Sequence, residues 1–374
     1  MKRIFAVTFL NHFVSGGLAL IVPLLLLERG VSLAEIGLVI SILPLVFLVV
    51  RLFLAAFADQ IGWARFYLLL NWPGALFSTL IYSIANSTPA FLMGKVVEAV
   101  RESSYWAVNR TAIFSLSPRK KAAGATKNAA ILSLSRAFGS AASGVALALI
   151  GFSLTLSLLV SASAAVVIPA AMLWRAQRMK SKMRALRTVN LLDPRGKGKT
   201  FWLISFTMLF FRLAFYPLLA LLLPVFMARQ LGYNYITIGV AFMFYGLLTA
   251  CVTFSALRIA LGIRRVVVQS VIALSVTSLL ADAGSYFLAL FLMLAVADGL
   301  GKGFFESIIA KATKNEQTVS VDIGLLHIPM RIAEFSSVLF AGFAVQSFGF
   351  MPIFAASGAF FTVFSVLSLY VLEI

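Results

Sequence analysis

The chain is short of charge, of acid, of cysteine and of histidine. Only 12% of its 374 residues are Asp, Glu, Lys or Arg, where a soluble domain carries about 25%. Cys251 is the single cysteine, so no intrachain disulfide forms and cysteine usage says nothing about redox compartment. His12 and His327 are the only histidines. Two such distant residues offer no metal-ligand spacing, and neither a nucleophile motif nor a cofactor-binding signature accompanies them. The Gly-x4-Gly-Lys-Ser/Thr loop that cradles ATP phosphates is absent. A soluble enzyme is therefore excluded as a reading, and no cofactor is expected.

What the chain has instead is apolar length, with 61% of its residues hydrophobic. Twelve stretches of roughly 20 apolar residues, enough to cross about 30 Å of hydrocarbon, fall at 4–27, 34–58, 65–86, 89–112, 123–149, 152–174, 202–227, 235–257, 265–282, 285–309, 321–346 and 350–372. The connections are too short for a hidden soluble domain or large ectodomain. The periodicity is helical, which argues against an outer-membrane barrel. The first run imitates a signal peptide, but it is too long, carries Asn11 and His12 and lacks a small-residue cleavage site, so it reads as a retained span.

Thirty-one bases against thirteen acids give a net charge of +18, which in a soluble protein points to nucleic acid. Here the bases sort by side. Lys2, Arg3, Arg65, Arg110, Arg119, Lys120, Lys121, Arg258, Arg264, Arg265, Lys311 and Lys314 fall on one side with the polar linker 175–200. The other side holds only Arg29 and Arg229. By the positive-inside rule both termini are cytoplasmic, and a multi-pass cell-membrane protein is expected. The excess is thus topology, and no nucleic-acid partner is inferred. The linker's Lys/Arg run also suits anionic headgroups. It divides the chain into six spans at 1–174 and six at 201–374.

An internal repeat supports that division. Gly30-Val-Ser-Leu-Ala-Glu-Ile36-Gly37 resembles Gly232-Tyr-Asn-Tyr-Ile-Thr-Ile238-Gly239, Phe91-Leu92-Met93 with Glu98 resembles Phe291-Leu292-Met293 with Asp298, and Gly62 with Arg65 resembles Gly262 with Arg265. The near-constant offset points to a duplicated six-helix unit with parallel halves.

The segment Ala55-Ala-Phe-Ala-Asp59-Gln60-Ile-Gly62-Trp-Ala-Arg65, between spans two and three, resembles the major facilitator superfamily loop motif G-x-x-x-D-R-x-G-R-R/K. Asp59, Gly62 and Arg65 fit the motif. Ala55 and Gln60 depart from it, and Trp63-Ala64 occupy part of its basic tail. The likeness is architectural over the whole chain and motif-level over about ten residues. It implies an all-α membrane fold of two parallel six-helix bundles rocking around a central site. It also implies a monomer, and a cytoplasmic latch at Asp59 with Gly62 and Arg65. In that family helices one, four, seven and ten line the cavity. Its fourth helix often carries an arginine where Lys95 stands here, and the Gly-Pro exporter signature of helix five is absent.

Charges inside the spans are costly, by about 2.5–3.5 kcal/mol each at mid-membrane, and must face one another or a wet space. Lys95, Glu98, Glu102, Tyr105 and Asn109 share one helix face with Arg101 at its edge; Asp298, Lys302 and Glu306 share another, and His327, Arg331 and Glu334 a third. His12, Arg136 and Arg212 complete the set of residues expected on a substrate or proton pathway. Arg101, Arg136, Arg212, Asp298 and Arg331 each lie near mid-span and are expected to form one layer. Arg51 and Lys127 are expected to snorkel to the cytoplasmic interface.

The leading reading is a secondary transporter moving a small solute by alternating access, coupled to protons, with a weak preference for an organic anion. The alternative is a multidrug/proton antiporter whose pocket is lined by Tyr105, Trp106, Phe215, Tyr216 and Phe305. A lipid-moving protein and a non-transporting scaffold or receptor-like protein are further readings. Pairing Glu98 with Asp298 in the repeat generates a test: in proteoliposomes, Glu98→Gln combined with Asp298→Asn abolishes pH-driven transport. Unchanged pH-driven flux removes both carboxylates from proton coupling.

Overall fold

A computed structural model describes residues 2–61, 63–116, 121–177, 197–256, 262–312 and 319–373. The described residues are helical throughout and contain no strand. Helix α1 (Lys2–Glu28) is followed by α2 (Leu33–Ile61), then by α3 (Trp63–Phe66), a π turn (Tyr67–Asn71) and α4 (Trp72–Ile84). Next come α5 (Thr88–Leu116), α6 (Lys121–Ala165) and α7 (Val167–Gln177). After the linker stand α8 (Lys199–Pro217), a second π turn (Leu218–Leu222), α9 (Leu223–Arg229), α10 (Tyr235–Ala256) and α11 (Ile263–Leu279). The chain ends with α12 (Phe287–Ala312), α13 (Val319–Phe348) and α14 (Phe350–Glu373). The face on which α1 begins is called the near face, and the opposite one the far face.

Nine segments among the described residues are long and apolar enough to cross a membrane. One of them, Lys127–Arg175, spans 49 residues and takes in two of the twelve expected stretches. It reverses at Gly151, whose φ of 73° and ψ of −179° break the helix. Built with a Cβ, Gly17 would touch both Ser143 and Leu159, and a straight helix cannot bring two residues sixteen apart to one point. The expected third and fourth stretches are helical too. Helix α5 holds Lys95, Glu98, Arg101 and Glu102, too much charge for a lipid-facing segment. The third stretch is broken by a π turn ahead of Pro73, as the seventh is ahead of Pro224. Proline lacks the N–H of a regular turn, and a wider turn accommodates the loss.

Helices pack closely both within and between the halves. In the first, α1 packs on α6, α2 on α5, and α4 on both α5 and α6. In the second, α8 packs on α13 and α14, α11 on α14, and α10 on α12. Two seams join the halves, α2 against α13 and α6 against α10.

The repeat found in sequence builds both seams at the far face. Gly30 and Gly232 each take positive φ, 72° and 63°, and turn the chain out of α1 and α9. Ser32 and Asn234 then cap the next helices: Glu35 N–H donates to Ser32 Oγ at 3.3 Å, and Thr237 N–H to Asn234 Oδ1 at 2.8 Å. Ile36 and Ile238 are buried. Gly37 and Gly239 then meet the other half. A Cβ on Gly37 would lie 2.8 Å from Val338 O and 3.2 Å from Gly342 Cα; on Gly239, 2.8 Å from Ser140 O and 2.9 Å from Gly144 Cα. Small residues let the backbones approach this closely. Tyr235 adds a hydrogen bond across the far face, Oη to Glu28 Oε2 at 3.1 Å.

Overpacking a close-packed contact costs about 1–3 kcal/mol. Gly239→Val therefore lowers the thermal midpoint of the detergent-purified protein. Gly198→Ala, whose new methyl meets open space, leaves it unchanged.

Candidate functional site

The charged residues named from sequence fall into two clusters, one in each half. In the first half Glu102 is the centre. Its Oε1 accepts from Arg101 Nη2 at 2.8 Å and from Ser15 Oγ at 2.7 Å, and its Oε2 from Trp106 Nε1 at 3.2 Å. Arg136 Nη2 stands 3.9 Å from Oε2. One turn away Glu98 Oε2 accepts from Lys95 Nζ and from Tyr82 Oη, each at 2.8 Å. Arg101 Nη2 lies 3.5 Å from Glu98 Oε1, so Arg101 links the two carboxylates and is wholly buried. The helical spacing of 95, 98 and 102 on α5 makes this geometry, since residues three and four apart are neighbours.

In the second half Glu334 on α13 holds two guanidinium groups. Arg212 Nε on α8 is 3.2 Å from Oε1, and Arg331 Nη1 is 2.5 Å from Oε2. On α12, Lys302 Nζ donates to Asp298 Oδ2 at 2.8 Å, with Thr249 Oγ1 of α10 at 3.5 Å. Arg212 also stacks over Phe305, 5.6 Å from its ring centre. Glu306 is exposed.

The two clusters look towards each other. Arg136 lies within Coulombic reach of Arg212, and Tyr216 within reach of both Glu98 and Glu334. Burial is asymmetric. The side chains of Glu98, Glu102, Asp298 and Glu334 are 5%, 7%, 2% and 0% exposed, while those of Arg136, Lys302 and Arg212 are 48%, 38% and 32% exposed. These carboxylates form the back wall together with Lys95 and Arg101, and Arg136, Lys302 and Arg212 the more open side.

His12 and Tyr105 are fully buried. The rings meet edge to face at 4.6 Å, and Tyr105 Oη lies 2.9 Å from Thr8 Oγ1. Neither ring nitrogen of His12 has a hydrogen-bond partner among the described residues. Of the aromatic residues expected to line a broad pocket, Tyr105, Phe215 and Phe305 are buried, while Trp106 and Tyr216 are half-buried.

Arg51 departs from expectation. It does not snorkel: it is buried, and its Nη1 lies 3.0 Å from His327 Nδ1 on α13. Its Cζ sits 5.5 Å from the Phe47 ring centre, and Arg331 covers the same ring at 3.8 Å. Sequence reasoning also missed Tyr82, which carries no local signal, because its hydroxyl meets Glu98 only through the packing of α4 on α5. Of the residues expected to form a latch, Arg65 is exposed; the side chain of Asp59 and all of Gly62 lie outside the described residues. Arg265, the repeat partner of Arg65, is buried and donates to Ala256 O at 2.9 Å and to Leu300 O at 2.7 Å. Far from these charges, at the far face, a cavity of about 730 Å³ is lined by residues including Val31, Arg229, Gln346 and Phe350. Among the described residues no cluster of His, Cys, Asp and Glu has the makings of a metal site.

An all-helical membrane protein with a cluster of paired, buried charges in each half has the build of a solute transporter, and comparison with known proteins gives the family. The Major Facilitator Superfamily profile matches residues 4–263, and the chain belongs to that superfamily. No curated protein matches it in sequence. Among solved structures it is similar to a bacterial homolog of the human lysosomal transporter Spinster, inward-facing and unoccupied. That likeness has a TM-score of 0.74 at 14% identity, over 100% of this chain and 96% of the other. It is similar also to the nucleoside transporter NupG, with a TM-score of 0.75 at 11% identity over 100% and 99%. The human organic anion transporter MFSD10 (TETRAN) gives 0.70 at 14% over 98% of each chain. At these identities the likeness is one of fold. The protein is thus a multi-pass membrane transporter that takes a small-molecule substrate.

Removing one partner of a buried ion pair costs about 3–5 kcal/mol. Glu334→Gln leaves two guanidinium groups without their carboxylate and lowers the thermal midpoint sharply. Lys127→Gln, at an exposed position, leaves it nearly unchanged. Equal shifts for the two variants would refute the buried-wall description.

Proposed function

We propose that this member of the superfamily is a proton-coupled secondary transporter that moves a small organic anion by alternating access. It works as a monomer in the cell membrane with both ends of the chain cytoplasmic. Residues 1–174 and 201–374 are its two moving halves, and the basic linker 175–200 lies against anionic headgroups.

One observation carries the substrate class. Every described intramembrane carboxylate of the two clusters except Glu306 is buried beside a base, and the side chains of Arg136, Arg212 and Lys302 are part-exposed. A carboxylate or phosphate entering between the halves meets donors from both sides. Guanidinium groups suit such ligands because they donate in parallel pairs. Glu102 and Glu334 act as positioning residues that aim Arg136 and Arg212. Protons are assigned as the coupling ion because ionisable groups line the route. Glu98 and Asp298, equivalent in the repeat, each hold a lysine at 2.8 Å, and a proton can replace that lysine as the counter-charge.

The similar structures carry differing cargoes, a nucleoside for one and organic anions for another, so likeness of fold does not choose between them. The multidrug reading needs a broad aromatic lining, and burial of Tyr105, Phe215 and Phe305 counts against it.

A panel of radiolabelled carboxylates and phosphate esters, run against ethidium-type dyes in proteoliposomes, tests the proposal. Uptake of at least one anion is expected, reduced about tenfold or more by Arg136→Gln or Arg212→Gln, in keeping with 1.5–3 kcal/mol for a charged hydrogen bond. Dye movement without anion movement would overturn it.

A further inference from the structure

The far-face cavity, at about 730 Å³, has the size of a small-molecule site. Both halves build it. Leu27, Val31 and Leu33 come from the first, and Arg229, Val345 and Phe350 from the second. The far-face turns all lie among the described residues.

The repeat shows what sets this place apart. In its register Tyr235 corresponds to Leu33. Phe152 and Phe350 each follow a glycine of positive φ at the turn into the last span of their half. At one junction the rings of Phe152 and Tyr235 meet at 5.5 Å. At the other, leucine stands in place of tyrosine, and Leu33 and Phe350 line the cavity instead. Leu27 corresponds in turn to Arg229, so equivalent positions give one cavity an apolar wall and a cation.

That cation has no partner in the protein. Arg229 is the one charged residue lining the cavity, and among the described residues its side chain makes no ion pair or hydrogen bond. The side chains of Gln230 and Gln346, also on the wall, make none either. Arg29, the other far-face base, is committed: it donates to Ala85 O and covers the Phe91 ring at 5.2 Å. None of the far-face acids Glu28, Glu35 and Asp282 lines the cavity. Glu28 accepts from Tyr235 Oη at 3.1 Å and Glu35 from Ser32 Oγ at 3.2 Å. Helix ends of both kinds meet here, the last turns of α1, α9 and α13 and the first of α2 and α14. Their dipoles largely offset one another, and Arg229 sets the sign. An anionic group supplies what Arg229 lacks, and Leu27, Val31, Leu33, Val345 and Phe350 suit an apolar body attached to it.

We infer that the far-face cavity is a binding site for an amphipathic organic anion, a carboxylate or phosphate on an apolar body, held by Arg229 between the two halves. The site is separate from the central clusters and does not depend on the transport reading.

A diazirine-bearing decanoate tests it on the full-length protein in phosphatidylcholine nanodiscs. The probe is photolysed below half-saturation, and labelled peptides are read by mass spectrometry relative to lipid-facing segments. Labelling is expected at 27–33 and 345–350, about tenfold weaker in Arg229→Gln and for the methyl ester of the probe. Val31→Trp fills the space with Arg229 in place and also lowers it. Arg29→Gln, off the cavity, leaves it unchanged. Labelling that misses both segments, is equal for acid and ester, is undiminished in Arg229→Gln or Val31→Trp, or falls equally in Arg29→Gln overturns the site. If Val31→Trp fails to fold, Arg229→Gln decides, since Arg229 is exposed. Adding phosphatidylglycerol separates the sources, and either result supports the site. Displacement of the probe assigns it to an acidic lipid headgroup, and persistence to a free amphiphile. Arg136→Gln, expected to weaken uptake, leaves far-face labelling intact, so the two readings fail separately. Loss of labelling there would merge this site with the central one and overturn it.

Discussion

A carboxylate taken out of water must keep a cation within hydrogen-bonding distance, and much of the middle of this protein is arranged around that requirement. Four buried acids each hold at least one base at 2.5 to 2.8 Å. Glu102 and Glu334 each have one short ion pair and one longer contact. Glu102 is 2.8 Å from Arg101 and 3.9 Å from Arg136; Glu334 is 2.5 Å from Arg331 and 3.2 Å from Arg212. The short bond anchors the acid. The longer one leaves Arg136 and Arg212 aimed but available. A buried ion pair is a poor source of stability by itself, so these pairs are better understood as holding cations at fixed points on the inner wall.

The halves meet through contacts of contrasting kinds along the seams. At the far face, glycines and a tyrosine–glutamate hydrogen bond close the gap by shape. Further along α2 and α13 the contacts are made by guanidinium groups, an aromatic ring and an imidazole.

Much of this was legible in the sequence, and the exceptions have physical reasons. The repeat at Gly30–Gly37 and Gly232–Gly239 was visible as a pattern, and its residues are a turn, a cap, a buried isoleucine and a seam contact. Its partners Gly144 and Gly342 were not visible, because a glycine inside an apolar helix looks the same whether it faces lipid or another backbone. The face of α5 bearing Lys95, Glu98 and Glu102 followed from helical spacing. Tyr82 and Ser15 as donors to those acids depend on how helices cross, which spacing does not encode. Arg51 was misjudged because a long side chain near a helix end reaches either the interface or a partner on the next helix; the seam chose the partner. The reversal at Gly151 falls where two apolar stretches adjoin, and the sequence marks it with one glycine.

Duplicated units seldom stay equivalent, and Arg65 and Arg265 record how these two diverged. Arg65 presents its guanidinium to solvent. Arg265 donates from Nη1 and Nη2 to the carbonyls of Ala256 and Leu300, tying the end of α10 to the middle of α12, with Phe304 beneath it at 5.1 Å. The second copy is riveted where the first is left open-handed. A machine built from two identical rockers has no preferred side from which to be released. At matching positions of the repeat, one arginine is committed to internal packing and the other is left open.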